Sequence, residues 1–391
     1  MSITRRIQAS ITGDLEQKMV FLAGARQVGK TTLAKQILEA SRAGLYLSWD
    51  RRDDRRTIRD ARWPADPALV VLDELHKWRP WKRWLKGEFD AHRERLGFLV
   101  TGSARMDVFR RGSDSLQGRY HHWRLHPLTL AEIERPTRPA ALTPGKALAL
   151  AETGRQETAD ALMAFGGFPE PFLAGSERVL RRWRKERLER FFREDVRDLE
   201  NLRDISSLEL LADLVPARVG SPLSLNSLRE DLEVSHTAVT HWIDVLERLY
   251  FLFLVRPHAS RMVRSLRKMP KAYLWDASLV EQRGARFENL VALHLLAMCH
   301  WLEDQEGERV QLCYVRDGSG REVDFLVTWN GKPWLAVEAK VSDTEIAADL
   351  RYFQSRLRIP ACYQVVLEAK ADYEKDGIRC LPAARFFAGL V

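Results

Sequence analysis

Eight residues, Gly24-Ala25-Arg26-Gln27-Val28-Gly29-Lys30-Thr31, have the types and spacing that chemistry on a phosphoanhydride requires. Glycines let successive backbone N–H groups turn inward around phosphate oxygens. Lys30 can reach the β- and γ-phosphates, and the Thr31 hydroxyl can ligate Mg²⁺. Thr32 completes the expected nucleotide-binding set. The plainer alternative is a glycine turn beside an exposed lysine. Two carboxylates, Asp73 and Glu74, follow the apolar run Ala68–Leu72. There Asp73 would hold Mg²⁺ through water and Glu74 would polarise an attacking water, although a solvated loop can show the same pair. Ser103 is the first candidate for sensing a γ-phosphate, with Thr101 second. Arg119 is a candidate for acting on a neighbouring subunit's nucleotide; a surface arginine is the alternative.

A second constellation lies near the C-terminal end. Glu288 falls within an amphipathic helical pattern, Asp324 within the strand-like Arg321–Val327, and Glu338-Ala339-Lys340 follows the apolar run Trp334–Val337. Acid, spacer, then E-x-K is the pattern of PD-(D/E)xK nucleases. In that reading Glu288, Asp324 and Glu338 ligate a divalent ion, Mg²⁺ or Mn²⁺, while Lys340 steadies the attacking water or the scissile phosphate. Two alternatives stay open: a fold kept for binding DNA without cleavage, or carboxylates engaged in structural ion pairs.

The elements needed to position these residues are legible as periodicity. Met19–Ala23 reads as a strand before the glycine loop and Leu33–Leu38 as the helix after it. Ala68–Leu72 and Gly97–Thr101 read as strands buried on both faces, as in a parallel sheet, whose ligands gather at the strands' C-terminal ends. Trp78, Trp81 and Trp84 recur every three residues, which suggests one helix face on the core rather than a platform for stacked bases. Glu134–Gly145, with three prolines, reads as a linker. A basic helical segment follows at Arg181–Leu199. Leu225–Leu232, with Asn226 as cap, and His236–Leu249 have helix-turn-helix spacing. Two strand-like runs, Tyr250–Val255 and Ala272–Trp275, come next. Between them Arg256–Lys271 carries six basic residues and no acidic one. Arg256, Arg261, Arg264, Arg267 and Lys268 would then be phosphate contacts on a basic wing. A winged helix that binds protein is the competing interpretation.

The chain has 391 residues, 45% of them hydrophobic, and a net charge of +8, which suits a globular protein with a polyanionic partner. Four scattered cysteines argue against a zinc or disulfide framework and favour a reducing cytoplasm. No apolar stretch approaches the ~18 residues of a membrane span.

The segments GARQVGKTTL, VLDELHKW, LVTGSAR and LQGRYHHWRLHPLTLAE resemble the bacterial and archaeal AAA+-type ATPases of the AAA_14 group, in which the ATPase is followed by a DUF4143 region. Later segments match as well: Gly166-Gly167-Phe168-Pro169-Glu170, Phe192–Leu199 and Lys268–Tyr273. The likeness covers nearly the whole chain. One departure is that Asp73-Glu74-Leu75-His76 stands where the group usually has D-E-I-Q. The resemblance implies an ATP- and Mg²⁺-dependent AAA+ ATPase that forms a homo-oligomer, a ring or open hexamer, and it implies no substrate. The expected architecture is α/β: a parallel-sheet P-loop domain over 1–135, a linker and helices over 136–204, a winged helix over 205–276, and a nuclease-like domain over 277–391. The expected function is ATP-driven work on DNA, including branched or recombining DNA. The alternatives are a nucleotide-dependent signalling or toxin-linked switch that binds a protein, and an ATP-gated nuclease.

Overall fold

The computed structural model describes residues 3–65, 68–102, 116–134, 142–143, 145–150, 154–196, 204–258, 269–342, 345–369 and 371–391. They form two compact units. Residues up to His126, with Arg248–Tyr250, make the first; Pro127–Glu247 and Phe251–Val391 make the second.

The first unit is an α/β layer structure on five strands: β1 (Met19–Gly24), β2 (Gly44–Ser48), β3 (Ala68–Asp73), β4 (Leu96–Thr101) and β5 (Tyr120–Leu125). All pair in parallel, in the order β2-β3-β4-β1-β5. Every residue of β1 and β3 is buried, which is why they read as unbroken apolar runs rather than alternating ones. Helices α1 (Ile7–Asp14), α2 (Lys30–Ala40), α3 (Arg52–Arg59) and α4 (Trp81–His92) belong to this unit. Because the strands are parallel, Gly24, Asp73 and Thr101 reach the same sheet edge. Thr101 pairs in register with Leu22 on one side and Asp73 on the other. The tryptophan triplet divides. Trp81 is buried and meets Phe21 edge-on at 5.7 Å. Trp78 precedes the helix and stacks on Trp49, so the three do not share one helix face.

The second unit starts with α5 (Leu130–Glu134), α6 (Gln156–Phe165), α7 (Pro169–Ala174) and α8 (Glu177–Arg190), then a π-helical turn over Phe191–Val196. It continues with α9 (Ile205–Leu214), α10 (Leu225–Asp231) and α11 (His236–Arg248). The cap of α10 is Ser224, whose hydroxyl accepts the Ser227 N–H at 3.2 Å, rather than Asn226. The hairpin of β6 (Leu252–Pro257) and β7 (Lys271–Leu274) follows. After it come α12 (Arg283–Glu306), β8 (Val310–Arg316), β9 (Glu322–Trp329), β10 (Lys332–Ser342), α13 (Ala348–Leu357), β11 (Ala361–Glu368), β12 (Tyr373–Lys375), β13 (Ile378–Pro382) and α14 (Ala383–Ala388).

One sheet collects all eight strands, in the order β12-β13-β11-β10-β9-β8-β6-β7. The β6–β7 hairpin joins it through parallel pairing of Arg256 and Pro257 with Cys313 and Tyr314. The hairpin that reads as a wing in the sequence is therefore the margin of the sheet that carries Asp324 and Glu338. Helix α12 is tied to it by Asn289, whose side chain accepts from Leu274 N at 2.7 Å and donates to Leu274 O at 2.8 Å. A fully buried amide is worth its place only when both ends are bonded; here the bonds put Glu288 beside β7.

Candidate functional site

The turn from β1 into α2 is built on positive φ. Gly29 has φ 103° and Gly24 φ 151°, and a Cβ on Gly24 would lie 2.5 Å from the Leu125 carbonyl oxygen. Gln27, between them, is also left-handed at φ 63°. The loop closes on the N-terminus of α2, whose first turn holds no acidic residue to compete with an anion for the helix's positive end. Lys30 is buried, and its Nζ donates to the carbonyls of Gly24 at 3.0 Å and Ala25 at 2.8 Å. Val28 is fully buried and Thr32 is exposed.

At the end of β3, Asp73 accepts from three hydroxyls. Thr31 Oγ1 lies 3.1 Å from Oδ2, Tyr46 OH lies 2.5 Å from the same oxygen, and Thr101 Oγ1 donates to Oδ1. Burial first, then this bond, raise the Tyr46 pKa well above its ordinary value, so it remains a donor. A carboxylate held by neutral donors beside a threonine hydroxyl keeps its charge available and fits a hard divalent cation. Glu74 follows in a left-handed conformation, φ 58°. Its Oε2 lies 3.3 Å from Lys77 Nζ and 3.7 Å from His76 Nε2, and Lys77 also reaches Asp50 at 2.7 Å. Burial raises the Glu74 pKa; Lys77 and Lys30 work against that rise.

Of the remaining expectations for this site, Ser103 lies outside the described residues. Thr101 is at the edge but spends its hydroxyl on Asp73. Arg119 is at the opposite edge, because the Met19 N–H donates to its carbonyl at 3.1 Å where β1 and β5 begin. One strand of that length spans roughly 20 Å. Its guanidinium forks onto Asp90, at 2.7 and 3.0 Å. Within one chain, then, Arg119 and the glycine loop are kept apart.

The C-terminal constellation does assemble, with additions. Lys271 is 1% exposed; its Nζ lies 2.6 Å from Glu322 Oε1, 3.2 Å from Glu288 Oε1 and 3.8 Å from Asp324 Oδ1. Tyr273 donates to Glu288 at 2.6 Å. Asp324 accepts the Ala339 N–H at 2.9 Å, and Lys340 Nζ sits 2.7 Å from Glu338. Burial, then the charge of Asp324, push Glu288 and Glu338 up to about 7. Burial also raises Asp324, and Lys271 opposes it most. For Lys271 itself burial acts downward, but Glu288, Asp324 and Glu322 outweigh it and the ammonium persists.

Among the described residues no group of three or more His, Cys, Asp or Glu is arranged to hold a metal ion. The expected set Glu288, Asp324 and Glu338 does not fit a divalent ion in this arrangement: Lys271 already supplies the positive charge between Glu288 and Asp324, and Lys340 pairs with Glu338. Lys271, Tyr273 and Glu322 escaped the sequence reading of this cluster. The i, i+2 spacing of Lys271 and Tyr273 puts both on one face of a strand, but nothing in the sequence says which helix that face meets.

For the wing, Arg256 is half-buried in β6, and Arg261, Arg264, Arg267 and Lys268 lie outside the described residues. The basic helix α8 is only partly a free face. Arg187 is buried against Asp276 at 3.6 Å and over the Phe168 ring at 4.3 Å, and Arg184 donates to Ser278 Oγ at 3.1 Å. No helix among the described residues is long and apolar enough to cross a membrane.

Family models match three stretches: the AAA domain AAA_14 over residues 16–134, a domain of unknown function, DUF8612, over 156–286, and a second, DUF4143, over 283–386. An uncharacterized protein of Mycobacterium tuberculosis is 23% identical over 356 residues, covering 85% of this chain and 73% of that protein. One from Methanocaldococcus jannaschii is 22% identical over 377 residues, covering 89% and 82%. Among solved structures, a Walker-type ATPase of Pyrococcus abyssi is similar at 14% identity and TM-score 0.44, covering 72% of this chain and 97% of that one. Thermotoga maritima RuvB is similar at 16% identity and TM-score 0.28, covering 63% and 88%. A parallel sheet with a glycine loop at its C-terminal edge, matched by the AAA domain over the same residues, makes this chain one with an AAA_14 P-loop ATPase domain followed by a DUF4143 domain.

Proposed function

We propose that the protein binds ATP with Mg²⁺ at the loop 24–31, hydrolyses it, and uses the turnover to act on DNA as a homo-oligomer. The observation that carries the ATPase reading is the contact between Thr31 and Asp73, a hydroxyl and a carboxylate 42 residues apart and 3.1 Å from each other beside Lys30. Phosphates would replace the Gly24 and Ala25 carbonyls as partners of Lys30, with the Gly29 turn and the start of α2 supplying backbone N–H donors. Thr31 and Asp73 would hold Mg²⁺, which when bound neutralises charge on the β- and γ-phosphates. Glu74 stands next in sequence to orient and polarise water. Its pairing with Lys77 means that it works only once released from that lysine. Arg119 would act across a subunit boundary.

Support for DNA comes from the helix pair α10–α11 followed by the β6–β7 hairpin, a winged-helix order, and from the basic stretch within that hairpin. The order α12, β8–β10, α13, β11 supports a nuclease-like fold for the sheet. Because Lys271 and Lys340 fill its acid cluster, no cleavage step belongs to the proposed function.

The test is steady-state ATP hydrolysis with Mg²⁺, with and without single-stranded, duplex and four-way-junction DNA, with Lys30→Ala as the blank. Stimulation by one DNA form supports the proposal. Turnover indifferent to every DNA replaces it with a nucleotide-dependent switch that binds a protein.

A further inference from the structure

The first unit carries a face on which charge and aromatic surface coincide. Residues 51–62 and 77–86 hold eleven basic and three acidic residues, an excess that equals the +8 of the whole chain. Helix α3 contributes Arg52, Arg55, Arg56 and Arg59, all exposed. Of the three acids, Asp54 is buried, accepting the Ser48 N–H and pairing with Arg51 at 3.7 Å. A run of indoles links the two basic stretches. Trp49 and Trp78 stack at 4.9 Å and 12°, Trp78 meets Trp84 at 5.3 Å, and Trp84 meets Trp63 at 5.9 Å. Trp63, Trp78 and Trp84 each pack against the core on one side and are only partly buried, and the Trp63 N–H donates to Glu88 at 2.7 Å. The guanidinium groups of Arg59 and Arg55 lie 5.3 and 5.8 Å from the Trp49 ring.

We infer that this face binds single-stranded nucleic acid, with bases stacking on the half-buried indoles and phosphates lying along the α3 arginines. Charge complementarity calls for a polyanion. The indoles separate a nucleic acid from an acidic protein, because a carboxylate gains nothing from an aromatic face whereas every base has one to offer. A duplex hides those faces, so a single strand is the form that fits. The face touches the nucleotide site in two places. The Trp49 N–H donates to the Asp73 carbonyl at 2.9 Å, and Lys77 bridges Asp50 and Glu74. Phosphates that draw Lys77 away free Glu74. Only this coupling rests on the ATP-driven reading; the binding does not.

The experiment is fluorescence anisotropy of labelled dT20, rU20 and a blunt duplex on the full chain, across a salt series. Single strands are expected to bind more tightly than duplex. Arg52→Glu with Arg59→Glu should weaken dT20 at least tenfold and flatten the salt slope. Trp78→Ala should weaken it about tenfold with the slope retained. Should Trp78→Ala fail to fold, the exposed double variant still decides. Its basal turnover without nucleic acid should match the parent. Tighter binding of either dT20 or rU20 supports the inference. Parent-like affinity in both variants overturns it, as does displacement of dT20 by polyglutamate as efficient as by unlabelled dT20. DNA-stimulated turnover untouched by both variants, with their dT20 affinity at the parent's level, sinks this inference and leaves the function proposed above. Single strands held on this face with turnover that ignores them do the reverse.

Discussion

The two acid clusters of this chain use the same residue types and reach opposite states. In the first unit Asp73 is held by three hydroxyls, and Lys30 rests on neutral backbone carbonyls. In the second, Glu288, Glu322 and Asp324 close on the buried ammonium of Lys271, and Glu338 on Lys340. Neutral donors orient a carboxylate without discharging it, so a cation and a phosphate still find partners there. An ammonium in the same place satisfies the acids within the protein and leaves a metal little to gain. Glu74 lies between these cases: Lys77 holds it, but Lys77 is shared with Asp50 and partly exposed.

The largest effect that would sharpen this contrast is at Lys30. Lys30→Ala should lower ATP turnover by a hundredfold or more in a phosphate-release assay, with the melting of the second unit unmoved. A variant that keeps parent turnover would break the comparison at its first term. Next is Lys271→Ala. It leaves three half-buried carboxylates without their shared ammonium and should destabilise the second unit by about 3–5 kcal/mol, read by denaturant unfolding, with ATP affinity retained.

The third test uses pH. Glu288 and Glu338 sit near 7 in the folded state, against about 4.3 in an unfolded chain. Between those values the folded state binds more protons than the unfolded one, so their contribution to stability falls as pH rises through that window. The melting midpoint of the parent should therefore drop by a few degrees from pH 5 to pH 7.5 relative to Glu338→Gln, whose profile should be flatter. Chelation follows: EDTA should leave the second unit's melt unchanged, whereas Mg²⁺ with ATP should raise that of the first. A Mn²⁺-dependent shift in the second unit would contradict the role given to Lys271. The smallest expected effect is at Tyr46. Tyr46→Phe removes one of three bonds to Asp73 and should raise the Mg²⁺ concentration needed for half-maximal turnover by roughly threefold to tenfold.

Legibility differed between the two clusters for a physical reason. The loop 24–31 is contiguous, its glycines are demanded by backbone geometry, and the buried strands around it are four to six apolar residues long. Local pattern therefore sufficed for the P-loop, the parallel strands and Asp73-Glu74. At the second cluster the acids stand out by spacing, but their state depends on Lys271, which sits 17 residues before Glu288 in a hairpin that reads as part of a basic wing. The charged residues that precede it in the hairpin sequence are cations; its charged neighbours in space are carboxylates. The tryptophan triplet went the same way. A period of three fits a helix face, yet the helix begins only at Trp81, and Trp78 turns to Trp49 instead.

From the sequence alone came the residue types, the nucleotide loop, the buried parallel strands of the first unit and the surplus of positive charge, because each is written in contiguous residues or in composition. Only the tertiary structure decided which groups neutralise one another. It put Tyr46 and Thr101 on Asp73, sent Arg119 to the far edge of the sheet, and made the hairpin of Lys271 the margin of the sheet bearing Asp324 and Glu338. Electrostatic interaction falls with distance through space and takes no account of separation along the chain, so the charge state of a buried acid is decided by a fold that brings remote residues within a few ångströms.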